Sequence, residues 1–262
     1  MLTSRSDTRR PTQPAELSLL DQALTWSGSD KSAVWLPGGS RTVTHMTYSG
    51  KVTVGGTPDV RELTDLIITK IAVGPMDNNA YLLRCRDTDE QLLIDAADEP
   101  ETLLGVIGHD GLRRIVTTHR HGDHWQALPA VRDATGAITT AGEDDADHLP
   151  VAVAERVVDG NRVPVGRCPL EVIHLVGHTP GSIALLYDDP EGAPHLFTGD
   201  SLFPGGPGRT TRSEDFRSLI DDLETKVFDR LPDETWIYPG HGADTTLGAE
   251  RPQLAEWRAR GW

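Results

Sequence analysis

The segment Ile115–Leu128, "IVTTHRHGDHWQAL", sets His119, His121 and His124 beside Asp123 in one short stretch of a chain that has ten histidines among 262 residues. The branched run leading into it, "RRIVTT", reads as a strand, so the histidines fall on the loop leaving its end. There His119 and His121, two apart, can turn towards one point, while Asp123 and His124 enter the next element. Imidazole and carboxylate together form a borderline-to-hard donor set suited to Zn²⁺, Fe²⁺ or Mn²⁺. Adjacent donors project in different directions, which suits two ions better than one. The competing reading is a polar surface loop with clustered histidines.

Three other loops weigh against it. His178 lies in "LVGHTPGS" behind the strand-like "PLEVIHLV", Asp200 in "LFTGDSLF", and His241 in "WIYPGHG". Alone, each is an ordinary turn residue bonding the backbone. Taken together, they are metal-capable side chains on loops after strands, and loops at one rim of a sheet sandwich share a site.

The pattern around these loops predicts the fold. "LIITKIAV", "NAYLLRC" and "EQLLIDA" read as strands, "PETLLGVIG" as a helix, "DHWQALPAVRDAT" as a helix with Trp125, Leu128 and Val131 on one face, and "AITT" as a further strand. "ERVVD", "PLEVIHLV", "SIALLYD" and "HLFTG" form a second, hairpin-like strand group. A helix capped by Ser213 follows, with an apolar stripe of Phe216, Leu219, Ile220, Leu223 and Val227, and "TWIYPG" is the last strand. Two strand groups with helices outside them predict a four-layer αββα sandwich over residues 63–262. Residues 1–62, rich in turn formers such as "LPGGS" and "VGGTP", read as a leader, poorly structured or peripheral, in which "SLLDQAL" is a short helix and "SAVWL" a short strand. Met46 is a candidate internal start, and a chain beginning there is expected to fold.

Composition excludes several classes. A hydrophobic content of 37% supports a sizeable core, yet there is no apolar run long enough to span a membrane and no signal-peptide pattern. The net charge of −15 repels nucleic acid and anionic lipid. The two cysteines, Cys85 and Cys168, lie far apart and suggest neither a disulfide framework nor a thiolate metal site, so a reducing cytoplasm is expected. The oligomeric state is not legible.

The ordered set "THRHGDH", "GHTPGS", "TGDSLF" and "PGHG" resembles the metallo-β-lactamase superfamily, specifically its glyoxalase II branch, the hydroxyacylglutathione hydrolases. The resemblance implies that His119, His121 and His178 hold one divalent ion, that Asp123, His124 and His241 hold a second, and that Asp200 bridges them with a hydroxide. Zinc is the first expectation, with iron or manganese also suited. The implied activity is hydrolysis of a small hydroxyacyl thioester, with Asp123 both ligating and orienting the hydroxide. Two features depart from that branch: "FPGGPGRT" has Pro207 where a cysteine is usual, and "GADTTLGAERPQLAEWRARGW" is too short for the helical domain that grips glutathione. An iron-dependent persulfide dioxygenase, whose family shares these motifs and the "GRT" stretch, is the alternative enzyme; a non-catalytic metal-binding module is a third reading. Asp95 is a candidate to hold a ligand imidazole from behind. Asn79 and Trp125 read as a turn and a core residue in preference to pocket-lining ones, and Arg209 either meets a substrate carboxylate or pairs with an acidic neighbour. His45, His109, His148, His174 and His195 lack motif context.

Overall fold

The structure, a computed structural model, describes residues 47–261. The expected helix "SLLDQAL" and strand "SAVWL" lie outside the described residues. The first sheet has seven strands in sequence order: β1 (Asp59–Glu62), β2 (Leu66–Val73), β3 (Asn78–Cys85), β4 (Gln91–Ile94), β5 (Arg114–Thr117), β6 (Ile138–Gly142) and β7 (Glu155–Val157). β1 to β4 pair antiparallel, whereas β4 to β7 run parallel, joined by crossovers that include α1 (Pro100–Ile107), α2 (Leu128–Thr135) and the short α3 (Glu143–Ala146). The second sheet is built from β8 (Arg162–Val165), β9 (Cys168–His174), β10 (Ile183–Tyr187) and β11 (His195–Gly199). A small ribbon of β12 (Leu202–Phe203) and β13 (Gly206–Pro207) follows, then α4 (Ser213–Asp222). β14 (Trp236–Pro239) pairs parallel to β11, and β15 (Thr245–Thr246) borders it; α5 (Leu247–Glu250) and α6 (Leu254–Arg260) close the described chain.

Side-chain alternation along the strands makes the layers. On β3, Tyr81 and Leu83 face the second sheet, where Phe197, Leu185 and Tyr238 meet them, while Ala80 and Leu82 pack with Leu103, Ile107, Leu128 and Val131 of α1 and α2. On β10, Ile183 and Leu185 point inwards, whereas Ala184 and Leu186 pack with Phe216, Leu219, Ile220 and Trp257. The central strands β3 and β10 thus bury both faces, which a period of two permits only when helices cover the outer surfaces. The fold is the αββα sandwich expected from the strand grouping.

Several local expectations shift. Residues 122–124 form a single 3₁₀ turn, and α2 starts only at Leu128, because Pro129 suits a first helical turn and not a helix interior. Trp125 therefore lies outside the helix, half-buried against the cluster under α1 and α2, its indole Nε1 donating to the Arg120 carbonyl at 2.9 Å. Ser213 is the first residue of α4, with Arg212 extended at the cap, and the helix runs on as a π-helical stretch, Leu223–Phe228, that keeps Val227 and Phe228 buried.

Residues 47–62, placed in the leader on sequence grounds, contribute the edge strand β1 and a half-buried Tyr48 to the body of the fold. The buried Lys70 ammonium binds the Gly50 carbonyl at 2.8 Å, the Gly242 carbonyl at 2.7 Å and Asp244 Oδ1 at 2.5 Å. Tyr48 and Trp236 donate to Asp244 Oδ2 at 2.6 and 2.9 Å. This buried charge pair anchors the loop that follows His241. No helix among the described residues is long and apolar enough to cross a membrane.

Candidate metal centre

The parallel run β4–β6 and the set β9, β11 and β14 end at one rim, and the chain carries its chemistry on the loops just beyond. Asp95 follows β4, His119 to His124 follow β5, His178 follows β9, Asp200 follows β11 and His241 follows β14. All seven residues singled out as ligands meet there. His178 Nε2 lies 2.9 Å from His121 Nδ1 and 3.3 Å from His119 Nε2. Beside this trio, His241 Nε2 stands 3.2 Å from His124 Nε2 and 3.3 Å from Asp123 Oδ2. Asp200 lies between the two groups: its Oδ2 is 3.6 Å from both His178 Nε2 and His241 Nε2, and its Oδ1 is 3.4 Å from His124 Nε2.

Four of the imidazoles are pinned from behind. His178 Nδ1 meets the Arg209 carbonyl at 2.7 Å and His241 Nδ1 meets the Met76 carbonyl at 3.0 Å; a carbonyl only accepts, so both Nδ1 atoms carry the proton. His124 Nδ1 lies 2.9 Å from Asp95 Oδ2, and His119 Nδ1 lies 3.0 Å from Thr118 Oγ1, which itself donates to Asp95 Oδ2 at 2.8 Å. The inward Nε2 atoms are left as lone pairs aimed at one another, an arrangement that suits cations between them. Asp95 has a left-handed φ of 56° and also accepts from the Thr118 N–H at 2.7 Å, so backbone strain is held at the residue that orients a ligand.

Two further observations fit metal ions. Asp200 Oδ1 is buried without a hydrogen-bond partner among the described residues. Gly240 keeps the cradle open, since a Cβ there would sit 2.1 Å from Asp200 Oδ1 and 2.7 Å from His124 Cε1. Three sets of donors are close enough to hold an ion: His119, His121 and His178; His119, His124 and Asp200; and Asp123, His124 and His241.

Electrostatics divides the donors. Burial pushes the pKa of His119 well below its ordinary value and lowers that of His178, keeping both neutral and able to ligate. Burial acts the same way on His124, but the Asp200 and Asp95 carboxylates beside it outweigh it and push the ring up to about 10. For Asp200, burial is outweighed by His124 and His241, which hold the carboxyl far down; for Asp123 it is outweighed by the Asn78 hydrogen bond and His124. Without ions, the carboxylates draw protons onto the rings that a cation would otherwise occupy.

Some participants carried no sequence signal. Asn78 donates to Asp123 Oδ2 at 3.0 Å, whereas its neighbour Asn79 ties β3 to the carbonyls of Pro239 and Gly242. Asp145 on α3 accepts from the Arg120 N–H at 3.0 Å, Thr179 Oγ1 at 2.5 Å and the Gly181 N–H at 3.1 Å, joining the two loops that bear His121 and His178. Arg209 meets the site through its carbonyl; its side chain is exposed. A groove of about 430 Å³ adjoins the centre, lined by Phe203, Pro204, Phe216 and Arg260, with the Phe203 ring 6.4 Å from that of His241.

The family model described as the metallo-beta-lactamase superfamily matches residues 73–241. The chain belongs to the metallo-β-lactamase superfamily. Within the superfamily it falls in the glyoxalase II-like branch. A hydroxyacylglutathione hydrolase of Polaromonas sp. is 33% identical over 179 residues, 67% of this chain and 66% of that protein. Another, from Fuscovulum blasticum, is 36% identical over 170 residues, 63% of this chain and 62% of the relative. The matched region thus spans less than two thirds of either relative. Among solved structures, that of TTHA1623 in a di-iron-bound form is 32% identical with a TM-score of 0.59, covering 70% of this chain and 96% of the other.

Proposed function

We propose that this chain is a metal-dependent hydrolase of small hydroxyacyl thioesters. The observation that carries the reading is the pair of donor groups joined through Asp200, whose Oδ2 lies 3.6 Å from an imidazole nitrogen of each group. His119, His121 and His178 would hold one divalent cation, Asp123, His124 and His241 a second, and Asp200 would touch both. The relative solved with two irons supports double occupancy. Zinc is the expected ion, and iron or manganese suits the same donors.

Bound there, divalent ions supply a nucleophilic hydroxide near neutral pH and an electrophilic contact for the carbonyl oxygen. The remaining work falls to the chain. Asp123, fixed by Asn78 and kept ionised, accepts a hydrogen bond from the attacking water and orients it. Asp95 and the Met76 and Arg209 carbonyls keep the rings in one tautomer. A thioester fits this machinery because a thiolate with a conjugate pKa near ~8.5 leaves without a strong general acid. The groove beside His241 receives the remainder of the substrate and, being shallow, discriminates weakly among thiol carriers.

The second reading, an iron-dependent persulfide dioxygenase, is favoured by the Gly208–Arg209–Thr210 stretch, which closes on His178 through the Arg209 carbonyl. One experiment separates the two. Protein purified without added metal is analysed for its ions, then given an acyl thioester and a low-molecular-weight persulfide side by side. Thiol release that persists without oxygen is the expected result; oxygen uptake with no thioester cleavage overturns it.

A further inference from the structure

At the far end of the sandwich, Cys85 closes β3 and Cys168 opens β9, so each sheet contributes one thiol. Separated by 83 positions in sequence, their sulfurs lie 3.9 Å apart, with the Cys168 S–H donating to Cys85 Sγ. The two environments differ. The Thr88 side chain and the backbone N–H groups of Asp87, Thr88 and Arg167 stand around Cys85 and favour its thiolate. Gly166, at φ +55°, presses the β8–β9 turn against this sulfur; a Cβ there would stand 2.9 Å from it. Cys168 faces the Asp65 carbonyl at 3.5 Å, an acceptor that favours the protonated thiol. Both residues are buried, yet they line a groove of about 450 Å³ whose outer wall is the exposed Arg167–Asp87 ion pair at 2.7 Å.

We infer that Cys85 and Cys168 form a redox-active dithiol, oxidised by low-molecular-weight disulfides to a covalent link between the two sheets. The Cys85 thiolate attacks one sulfur of the disulfide RSSR, forming a Cys85–SR bond and expelling one RS⁻, which takes up a proton. Cys168 then loses its proton and attacks Cys85 Sγ, forming the Cys85–Cys168 bond and releasing the second RSH. Two protein thiols are oxidised and one RSSR is reduced to two RSH. Closing the gap asks the sulfurs to approach by about 2 Å, within reach of side-chain rotation. The two thiols are also biased oppositely. Burial opposes ionisation at Cys85, but its donors outweigh that and hold it down at about 7, whereas burial and then the charge of Cys85 push Cys168 up to about 12. Cys85 is therefore the attacking thiol and Cys168 the resolving one. In a reducing compartment, as expected from the sequence, the pair stays open until the disulfide level rises.

The test uses the folded full chain with oxidised glutathione, followed by thiol titration, intact mass and peptide mapping. The expected product has lost both thiols and two hydrogen atoms, carries no adduct, maps as Cys85 joined to Cys168 and reverts with a reducing agent. Cys168→Ala is expected to stop with one glutathione on Cys85, and Cys85→Ala to take up none in the same period. Free thiols persisting in the folded wild type, under conditions that modify the urea-unfolded chain, would overturn the inference. So would a stable adduct that never closes. Mapping the wild type needs no variant to fold.

Discussion

The two ends of the sandwich bury titratable groups and treat them in opposite ways. At the rim of strand ends, His124 is wholly buried, yet Asp95 and Asp200 push it up to about 10. At the other rim, where β11 begins, His195 is almost as buried and is held down at about 4, by burial first and the Arg61 charge second, with Tyr238 Oη 2.9 Å from its Nδ1. Burial alone makes a histidine neutral; carboxylates within hydrogen-bond reach reverse the sign. Charge is concentrated where ions are to be bound and kept out where the core only needs filling.

The largest effect expected is at the residue shared by both donor groups. Asp200→Ala should cut turnover about a thousandfold, near 4 kcal/mol of transition-state stabilisation, and lower the metal content from two equivalents to one or fewer. Kinetics and elemental analysis read both; a wild type fully active with one equivalent would break the binuclear side of the contrast. Next comes the anchor behind the rim. Lys70→Ala leaves Asp244 buried without its cation and should cost about 3 kcal/mol, visible as a drop of about 8 °C in melting temperature. A chain starting at Leu63, lacking Tyr48, Gly50 and β1, should be destabilised in the same direction.

Acid sharpens the contrast from the other rim. His195 has a folded pKa of about 4, below the ordinary ~6.5. The unfolded chain therefore takes the proton first. The contribution of the neutral ring is fully present above about pH 6.5 and is lost as pH falls through about 4, amounting to roughly 3 kcal/mol. Urea unfolding at both pH values should show this loss in the wild type and a clearly smaller one in His195→Gln. An identical loss in both proteins would mean that His195 is not held neutral by burial. The smallest effect is at the support of His124: Asp95→Ala should weaken metal retention roughly 10- to 100-fold. Competition with a chelator measures it, and the ion held by His119, His121 and His178 should be retained better than the other.

Legibility followed sequence distance. The seven candidate ligands stood out in the sequence because their residue types are uncommon in such density and each sits directly behind a strand, and the fold brings them together. Asp95 was readable for the same reason. Asn78, Asp145 and Lys70 were not, since each acquires its role from a partner brought near by the fold: Asn78 from Asp123, Asp145 from Thr179, Lys70 from Asp244. The cysteines read as unrelated because nothing in their spacing says that β3 and β9 end face to face. Strand β1 escaped notice because "DVRE" buries little, as an edge strand does. The start of α2 was misread because Trp125 mimics helical spacing, while Pro129 decides where the helix begins.

Two of the four locks on the ligand rings are main-chain carbonyls, those of Met76 and Arg209, and no substitution of a side chain deletes a carbonyl. Both side chains point away from that duty, Met76 at 59% exposure. The rim can therefore change what it shows to a substrate at these positions while the tautomers of His178 and His241 stay fixed. Such uncoupling makes the centre evolvable: new specificities can be sampled beside the metal ligands without loosening them.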